Sequence, residues 1–297
     1  MRLVSFNVNG IRAMRTKLRN GDRGATEETH CLERLLDELD PDILCLQEIK
    51  TNCIEDCQLQ GPIGSTYSVY ASFATKKGYS GVALYSKEEP EWIDATFDRY
   101  TEEADRYYNW PFSNEGRILV AKFARVCIVN VYVPNAKADL ERIDERLEWE
   151  RIFRAYVREL RSHVGVPVVI CGDLNCAVEK IDIHDPVRNQ GAPGFSHQER
   201  GALRALLSDG WIDTYRHLHH FRVEYTYFSN LGKCRAKNKG WRIDYCLSTS
   251  PADIEASDIH GEYHGSDHCP VRVDINIRGM PTRPLKAHLA IMAELGM

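Results

Sequence analysis

Side chains able to hold a hard metal ion and to move protons gather at the ends of five apolar runs in this sequence. The run at 3–6 leads into Asn7-Val8-Asn9-Gly10, and the run at 43–46 into Gln47-Glu48. The run at 126–133 ends in Pro134-Asn135 and carries Tyr132 two residues before the proline. The run at 166–170 leads into Gly172-Asp173-Leu174-Asn175, and the last run, at 271–277, follows Gly265-Ser266-Asp267-His268. Taken singly, each has a bland reading: an Asx-Gly step is a turn, Gly-Asp-Leu-Asn can cap a helix, and a lone carboxylate or histidine is usually solvated. Together they offer carboxylates, carboxamides, a phenol and an imidazole, with no thiolate. Such donors suit Mg2+ or Mn2+ and disfavour soft-metal chemistry. Glu48, Asp173 and Asp267 supply negative charge, while Asn7, Asn9 and Asn175 supply neutral contacts. A site of this kind suits phosphate chemistry, in which the metal polarises a phosphoryl oxygen and a carboxylate takes a proton from water.

The elements that must position these groups are strands with helices between them. Strand-like runs recur at 3–6, 43–46, 81–85, 118–123, 126–133, 166–170, 243–247 and 271–277, several of them rich in Val and Ile. Leu32, Leu35, Leu36 and Leu39 fall on one face of a helix. Asp139 is expected to cap a long helix that turns Ile143, Leu147 and Phe153 towards the core, and a third helix carries Leu203, Leu206 and Leu207. This alternation implies a layered α/β domain, sheet packed on sheet with helices outside. No repeat or linker divides the chain, and Gly279-Met280-Pro281 opens a short tail. One domain over 1–278 and a tail over 279–297 are expected.

With 297 residues, 43% hydrophobic and 27% charged, the chain can bury a core without covalent staples. Of its ten cysteines, Cys45, Cys127, Cys171 and Cys246 lie inside apolar runs, where a thiol acts as a small hydrophobe. Cys53 and Cys57 form a pair without a matching second pair, which disfavours zinc. Met1 leads straight into an apolar strand rather than a signal peptide, and no run approaches the roughly 20 apolar residues of a membrane span. An intracellular protein with reduced cysteines is expected, nuclear in a eukaryote and cytoplasmic in a bacterium. The net charge of -5 does not exclude a nucleic-acid partner, because binding depends on where charges sit. Lys233, Arg235, Lys237, Lys239 and Arg242 make one locally basic segment, whose bland reading is a solvated loop.

The ordered motifs Ser5-Phe6-Asn7-Val8-Asn9-Gly10-Ile11-Arg12, Leu46-Gln47-Glu48-Ile49-Lys50, Gly78-Tyr79-Ser80-Gly81-Val82, Gly172-Asp173-Leu174-Asn175 and Gly265-Ser266-Asp267-His268-Cys269-Pro270 resemble the exonuclease III family of abasic-site endonucleases. Two further stretches, 194–200 and 237–245, tighten the likeness, which runs from residue 2 to about residue 277. The resemblance implies a DNase I-like, four-layered sandwich of two packed β-sheets flanked by helices. It implies hydrolysis of the phosphodiester 5′ to an abasic site, leaving a 3′-hydroxyl, with 3′→5′ exonuclease or 3′-phosphodiesterase activity in the same site. A less specific metal-dependent nuclease or phosphatase of the same superfamily is the alternative. Other branches typically carry a histidine in the region of Tyr132, so the tyrosine is similar to the repair branch.

By the same likeness, Glu48 and Asp267 would ligate Mg2+ (with Mn2+ as a substitute), with Asn7, Asn9, Asp173, Asn175 and His268 around it. Asp173 would orient or deprotonate the attacking water; whether Asp173 or Tyr132 is the base stays open. Asn175 and Tyr132 would hydrogen-bond the scissile phosphate. His268 would contact it while held by Asp244. Tyr227, Trp241 and Ile243 match an apolar cup for a flipped-out abasic sugar, which excludes intact nucleotides by size. Arg12, Lys50, Tyr79, Arg117, Asn135 and Asn189 match DNA-contacting positions, and Leu231 an apolar wedge. The implied partner is double-stranded DNA carrying abasic sites, met by a monomer. Departures are Ala138 and Ala192, which stand where relatives have a DNA-inserting arginine and a phosphate-binding asparagine, and an insertion around 105–113. Asn9 is similar to the bacterial members, where animal ones have aspartate.

Overall fold

In the computed structural model, the structure describes residues 1–14, 32–59, 61–97, 99 and 112–277. The tail at 279–297 and most of the insertion at 105–113 lie outside the described residues. The strands are β1 (Arg2–Asn7), β2 (Ile43–Gln47), β3 (Ser68–Ser72), β4 (Val82–Ser86), β5 (Trp92–Asp94), β6 (Ile118–Lys122), β7 (Cys127–Tyr132), β8 (Val168–Asp173), β9 (Ile212–Asp213), β10 (Asp244–Ser248), β11 (Ile254–Ile259) and β12 (Val271–Ile275). They form two six-stranded sheets, ordered β11-β12-β1-β2-β4-β3 and β5-β6-β7-β8-β10-β9. Among the described residues, a helical turn at 11–14 precedes the helices α1 (Leu32–Leu39), α2 (Ile143–His163), α3 (His197–Ser208) and the short α4 (Thr214–Leu218).

Hydrophobic burial on both faces of the central strands fixes this layering. Every residue of β2, β4, β7, β8 and β10 is buried, as strands covered on two sides must be. Leu3, Cys45, Leu84, Ile128, Val169, Cys171 and Val273 pack between the sheets. Val4, Leu44 and Tyr85 pack outward against Leu32, Leu35 and Leu36 of α1. Val129, Ile170 and Leu247 pack outward against Trp149, Phe153 and Tyr156 of α2 and Leu203 of α3. The α/β, four-layered sandwich is therefore the observed fold.

Each sheet has a parallel pair among otherwise antiparallel neighbours: β1 with β2, and β7 with β8. Registers align Asn7 with Gln47, and Tyr132 with Asp173. The antiparallel neighbour β10 begins where β8 ends, so Asp244 lies opposite Asp173. Carboxyl ends of parallel strands, where side chains leave the ladder, thus meet at one end of the sandwich.

The long helix starts later than its sequence suggests. Asp139 sits in a 3-10 turn over Ala138–Leu140 with φ 52°, and α2 begins at Ile143 after Arg142. The chain first turns back on itself, Arg142 N–H donating to the Ala136 carbonyl at 3.0 Å, so Asp139 caps nothing. Ile143 and Leu147 are half-buried; Trp149, Ile152, Phe153 and Tyr156 carry the packing face.

Gly172 lets β8 deliver Asp173. Its φ is +142°, and a Cβ there would lie 1.9 Å from the Val131 carbonyl oxygen of the paired strand. Gly172→Ala is expected to cost about 3 kcal/mol of unfolding free energy, since rigid backbone must move. Chemical denaturation checks this: a cost below about 1 kcal/mol would mean that the two strands do not approach this closely.

Candidate active site

Asn7 is the residue around which the two sheets' polar ends join. Fully buried, it donates from Nδ2 to Glu48 Oε1 at 2.9 Å and to Asp173 Oδ2 at 2.9 Å, one carboxylate from each sheet. Its own Oδ1 accepts the Asn9 N–H at 3.0 Å. Asn9 in turn donates to Asp267 Oδ1 at 2.9 Å, and Ser266 Oγ donates to the Asn7 carbonyl at 2.7 Å. Asn175 closes the far side, its N–H on Asp173 Oδ1 and its Nδ2 on the Val133 carbonyl, both at 2.8 Å. Asn9, Glu48, Lys50 and Asn175 all have positive φ, between 47° and 52°. That conformation is rare for Glu and Lys and marks a segment bent for its side chains rather than its backbone.

Glu48, Asp173 and His268 each offer a ligand atom, and these atoms lie within 4.8 Å of one another. Two carboxylates at that spacing can hold a metal ion, and the imidazole can join them only in its neutral form. Asp267 does not join that group; it is linked through Asn9. Lys50 already places an ammonium beside these acids, 2.7 Å from Glu48 Oε2 and hydrogen-bonded to Asn9. The position therefore attracts positive charge, as a cation site should.

Electrostatics separate the roles of the titratable groups. Burial opposes ionisation of Glu48, but Lys50 and the Asn7 bond hold its carboxyl below the usual range. Asp173 is pushed the other way, up to about 7, by burial and by the facing Asp244, with His268 opposing. Burial likewise disfavours a charged His268, yet Asp244, with Asp173 and Asp267 behind it, lifts the imidazole to about 10. Its Nδ1 lies 2.8 Å and 3.1 Å from the two Asp244 oxygens, and its Nε2 lies 4.0 Å from Asp173. Tyr132 is buried beneath the Arg117 guanidinium, which stands 4.6 Å from its ring, and burial together with Glu48 raises its phenol well above the ordinary value.

An apolar cup adjoins the imidazole. The Tyr227 ring lies 4.9 Å from that of His268, and Tyr227 bridges by its backbone to both His268 and Trp241. Half-buried Tyr227 and Trp241 pack on buried Ala177, Ile183, Phe195 and Ile243. Trp241 is thus neither free on the surface nor sealed in the core.

The sequence-predicted contact residues fall into three groups. Arg12, Asn135 and Leu231 are exposed, Leu231 at 80%. Lys50, Tyr79 and Asn189 are half-buried; Asn189 donates to the His184 and Asp185 carbonyls of its own turn, both at 3.0 Å. Arg117 is buried, with Nε 2.6 Å from Glu115, Nη1 on the Tyr132 carbonyl and Nη2 on the Tyr79 hydroxyl. The basic segment is mixed as well. Lys233, Lys237 and Lys239 are exposed, but Arg235 braces the Ser266 and His268 carbonyls, and Arg242 is buried against Asp182 and Asp213. Sequence reasoning gave Ser266 no role of its own and missed Glu115 and Arg146; an arginine three residues after Ile143 on a core-facing stripe was the available signal for the last.

Two six-stranded sheets back to back, with carboxylates from both meeting a histidine at one end, define a phosphoesterase-type α/β sandwich, and residues 4–268 match the endonuclease/exonuclease/phosphatase family. The chain belongs to that family. It is 39% identical over 280 residues to an exodeoxyribonuclease of Bacillus subtilis, covering 93% of this chain and 100% of that one. It is 36% identical over 277 residues to a DNA repair nuclease of Danio rerio, covering 91% and 81%. Among solved structures it is similar to an AP endonuclease from Archaeoglobus fulgidus (TM-score 0.72, 27% identity, 93% of this chain and 100% of that one). It is also similar to one from Leishmania major (TM-score 0.77, 25% identity, 93% and 87%).

The Asp244 pairing has a signature in titration. His268's folded pKa lies above that of an unfolded histidine, so the stability it lends is full below about 6.5 and lost as pH climbs through about 10. In NMR of the metal-free protein, the His268 imidazole is expected to stay protonated through neutral pH. Asp244→Asn should bring its titration back towards the ordinary histidine range; a wild-type midpoint below 7 would contradict the pairing.

Proposed function

We propose that this protein is a DNA-repair phosphodiesterase that cuts 5′ to abasic sites in double-stranded DNA, leaves a 3′-hydroxyl, and acts as a monomer. The same site would remove 3′-terminal nucleotides or blocking groups. One observation carries the reading: a hard-donor group and an apolar cup share a wall, with the Tyr227 and His268 rings 4.9 Å apart. A general phosphatase has no need of the cup. A binding-only protein has no need of carboxylates held this close.

In this reading Asp173 is the general base. Its carboxyl, lifted to about 7, exchanges protons readily at neutral pH, and the Asn175 N–H and Asn7 amide hold it in place. Tyr132 is the weaker candidate: a phenol whose pKa is raised well above ordinary keeps its proton and serves as a donor to phosphate oxygen. His268, kept cationic by Asp244, faces the negative charge that develops on the phosphate. Glu48 would hold the metal, with Asp173 and His268 beside it and Asp267 and the Asn7, Asn9 and Asn175 amides around them; we propose Mg2+, with Mn2+ as its substitute. When bound, such an ion supplies charge stabilisation at a phosphoryl oxygen.

Trp241, Tyr227 and Ile243 would receive the baseless sugar once it leaves the helix, and flipping costs least where stacking is already lost. Exposed Leu231 would fill the space left behind, while Arg12, Lys50, Tyr79, Asn135 and Asn189, with the exposed lysines near Leu231, would meet the phosphates. Arg117 would act from beneath, by orienting Tyr79 and Tyr132.

Asp173→Ala is expected to lower cleavage of a duplex with one abasic analogue by ~10³-fold while sparing DNA binding. Trp241→Ala should reduce the preference for that duplex over an intact one. Both are read on a sequencing gel under magnesium titration. Equal rates on abasic and intact duplexes by the wild-type protein would favour a general nuclease instead, and retained cleavage by Asp173→Ala would remove Asp173 as base.

A further inference from the structure

A buried ion pair lies behind the candidate site, and none of the chemistry above uses it. Arg146 of α2 and Glu199 of α3 are both wholly inaccessible, with Nη1 and Oε1 2.7 Å apart. Burying two charges is costly unless each is also well hydrogen-bonded, and replacing such a pair by apolar residues is often neutral for stability. What their remaining bonds hold is therefore informative. Arg146 donates from Nη1 to the Asn175 carbonyl and from Nη2 to the Leu174 carbonyl, both at 2.9 Å. Those two residues form the turn that follows Asp173, with Asn175 at φ 48° and its N–H on the Asp173 carboxylate. Glu199 uses its other oxygen for the Gly194 N–H at 2.8 Å, the Ser196 N–H at 3.1 Å and the Ser196 hydroxyl at 2.6 Å.

Gly194 backs the cup. Its φ is +82°, and a Cβ there would come within 3.1 Å of the Trp241 ring and 3.4 Å of the Asn175 carbonyl oxygen. One guanidinium–carboxylate pair thus grips the turn bearing the candidate base with one end and the loop backing the tryptophan with the other. A guanidinium suits this task because its planar fork can serve two carbonyls and a carboxylate at once, which a single ammonium cannot reproduce.

We propose that Arg146 and Glu199 are positioning residues that lock the Asp173–Leu174–Asn175 turn to the Gly194 face of the aromatic cup, so that phosphate chemistry and recognition of the missing base share one alignment. The proposal rests on the reading of Asp173 as base and Trp241 as cup. Its mark is that loss of the pair degrades rate and discrimination together. A merely structural pair would change only the folded fraction, leaving kcat per folded molecule and the abasic-to-intact ratio unchanged.

The test compares wild type, Arg146→Lys, Glu199→Gln and the doubly apolar Arg146→Met/Glu199→Leu. Each is assayed with magnesium on a duplex bearing one tetrahydrofuran abasic analogue and on its intact counterpart, with the folded fraction taken from thermal unfolding. The double variant is expected to lose ~100-fold in kcat on the abasic duplex, as a misplacement near 1 Å does. Its abasic-to-intact ratio should fall ~10-fold, the effect of about 1.4 kcal/mol. Arg146→Lys should recover part of both. A folded double variant that keeps either the wild-type kcat or the wild-type ratio overturns the proposal. If the double variant does not fold, the same two quantities in Arg146→Lys and Glu199→Gln decide it: loss of both supports the link, and loss of one alone refutes it. Failure of the underlying function shows separately, as wild-type protein that does not prefer the abasic duplex.

Discussion

Three carboxylates crowded at one end of two packed sheets, two of them buried, are the constraint on which the rest of this structure depends. Glu48, Asp173 and Asp244 arrive there because strand register sends them there: Glu48 just past the end of β2, Asp173 at the end of β8 and Asp244 opposite it on β10. Like charges so placed cannot all ionise without help. The surroundings supply it with Asn7 between Glu48 and Asp173, Lys50 on Glu48, and His268 between Asp173 and Asp244. The rise in Asp173 and the rise in His268 are two sides of this same crowding. A divalent cation would relieve what remains, so affinity for a metal would follow from how the sheets pack and need no separate device.

How legible this was in the sequence depended on burial. The eight strands read from apolar runs, β1, β2, β4, β6, β7, β8, β10 and β12, are all interior strands. The strands that escaped notice are β3, β5, β9 and β11, and these are the four edges of the two sheets. Edges are covered on fewer sides, so β11 reads Ile-Glu-Ala-Ser-Asp-Ile and β9 is two residues long. Nothing in such segments has to be apolar, and nothing marks them as strands. The polar strand ends were legible for the converse reason, since an amide or carboxylate that closes a Val- and Ile-rich run stands out.

Charged residues were the harder case, because a sequence does not say which way an arginine points. Arg117, Arg146 and Arg242 are all buried, spent on carbonyls and carboxylates inside the protein. Arg235 likewise holds the loop that presents Asp267 and His268. The locally basic segment is thus partly scaffold, with two of its five cations, Arg235 and Arg242, turned inward. The helix cap assigned to Asp139 failed in a related way: side-chain type suggested a start, while a backbone turn from Ala136 to Arg142 set the real one.

The division between buried and exposed cations bears on how a chain of net charge -5 can hold DNA. Arg12, Lys233, Lys237 and Lys239 remain exposed, and the last three flank or follow the exposed Leu231. Affinity for a duplex, and its dependence on salt, would scale with how many of these cations meet phosphates. In the proposed repair role Ala138 offers no charge to hold product, and selectivity would come from geometry at the lesion. The cup and the carboxylates share a wall, and the Arg146–Glu199 pair is bonded to the turn after Asp173 and to the Gly194 loop behind Trp241, so in the proposed function recognition of the gap and the cut would share one geometry.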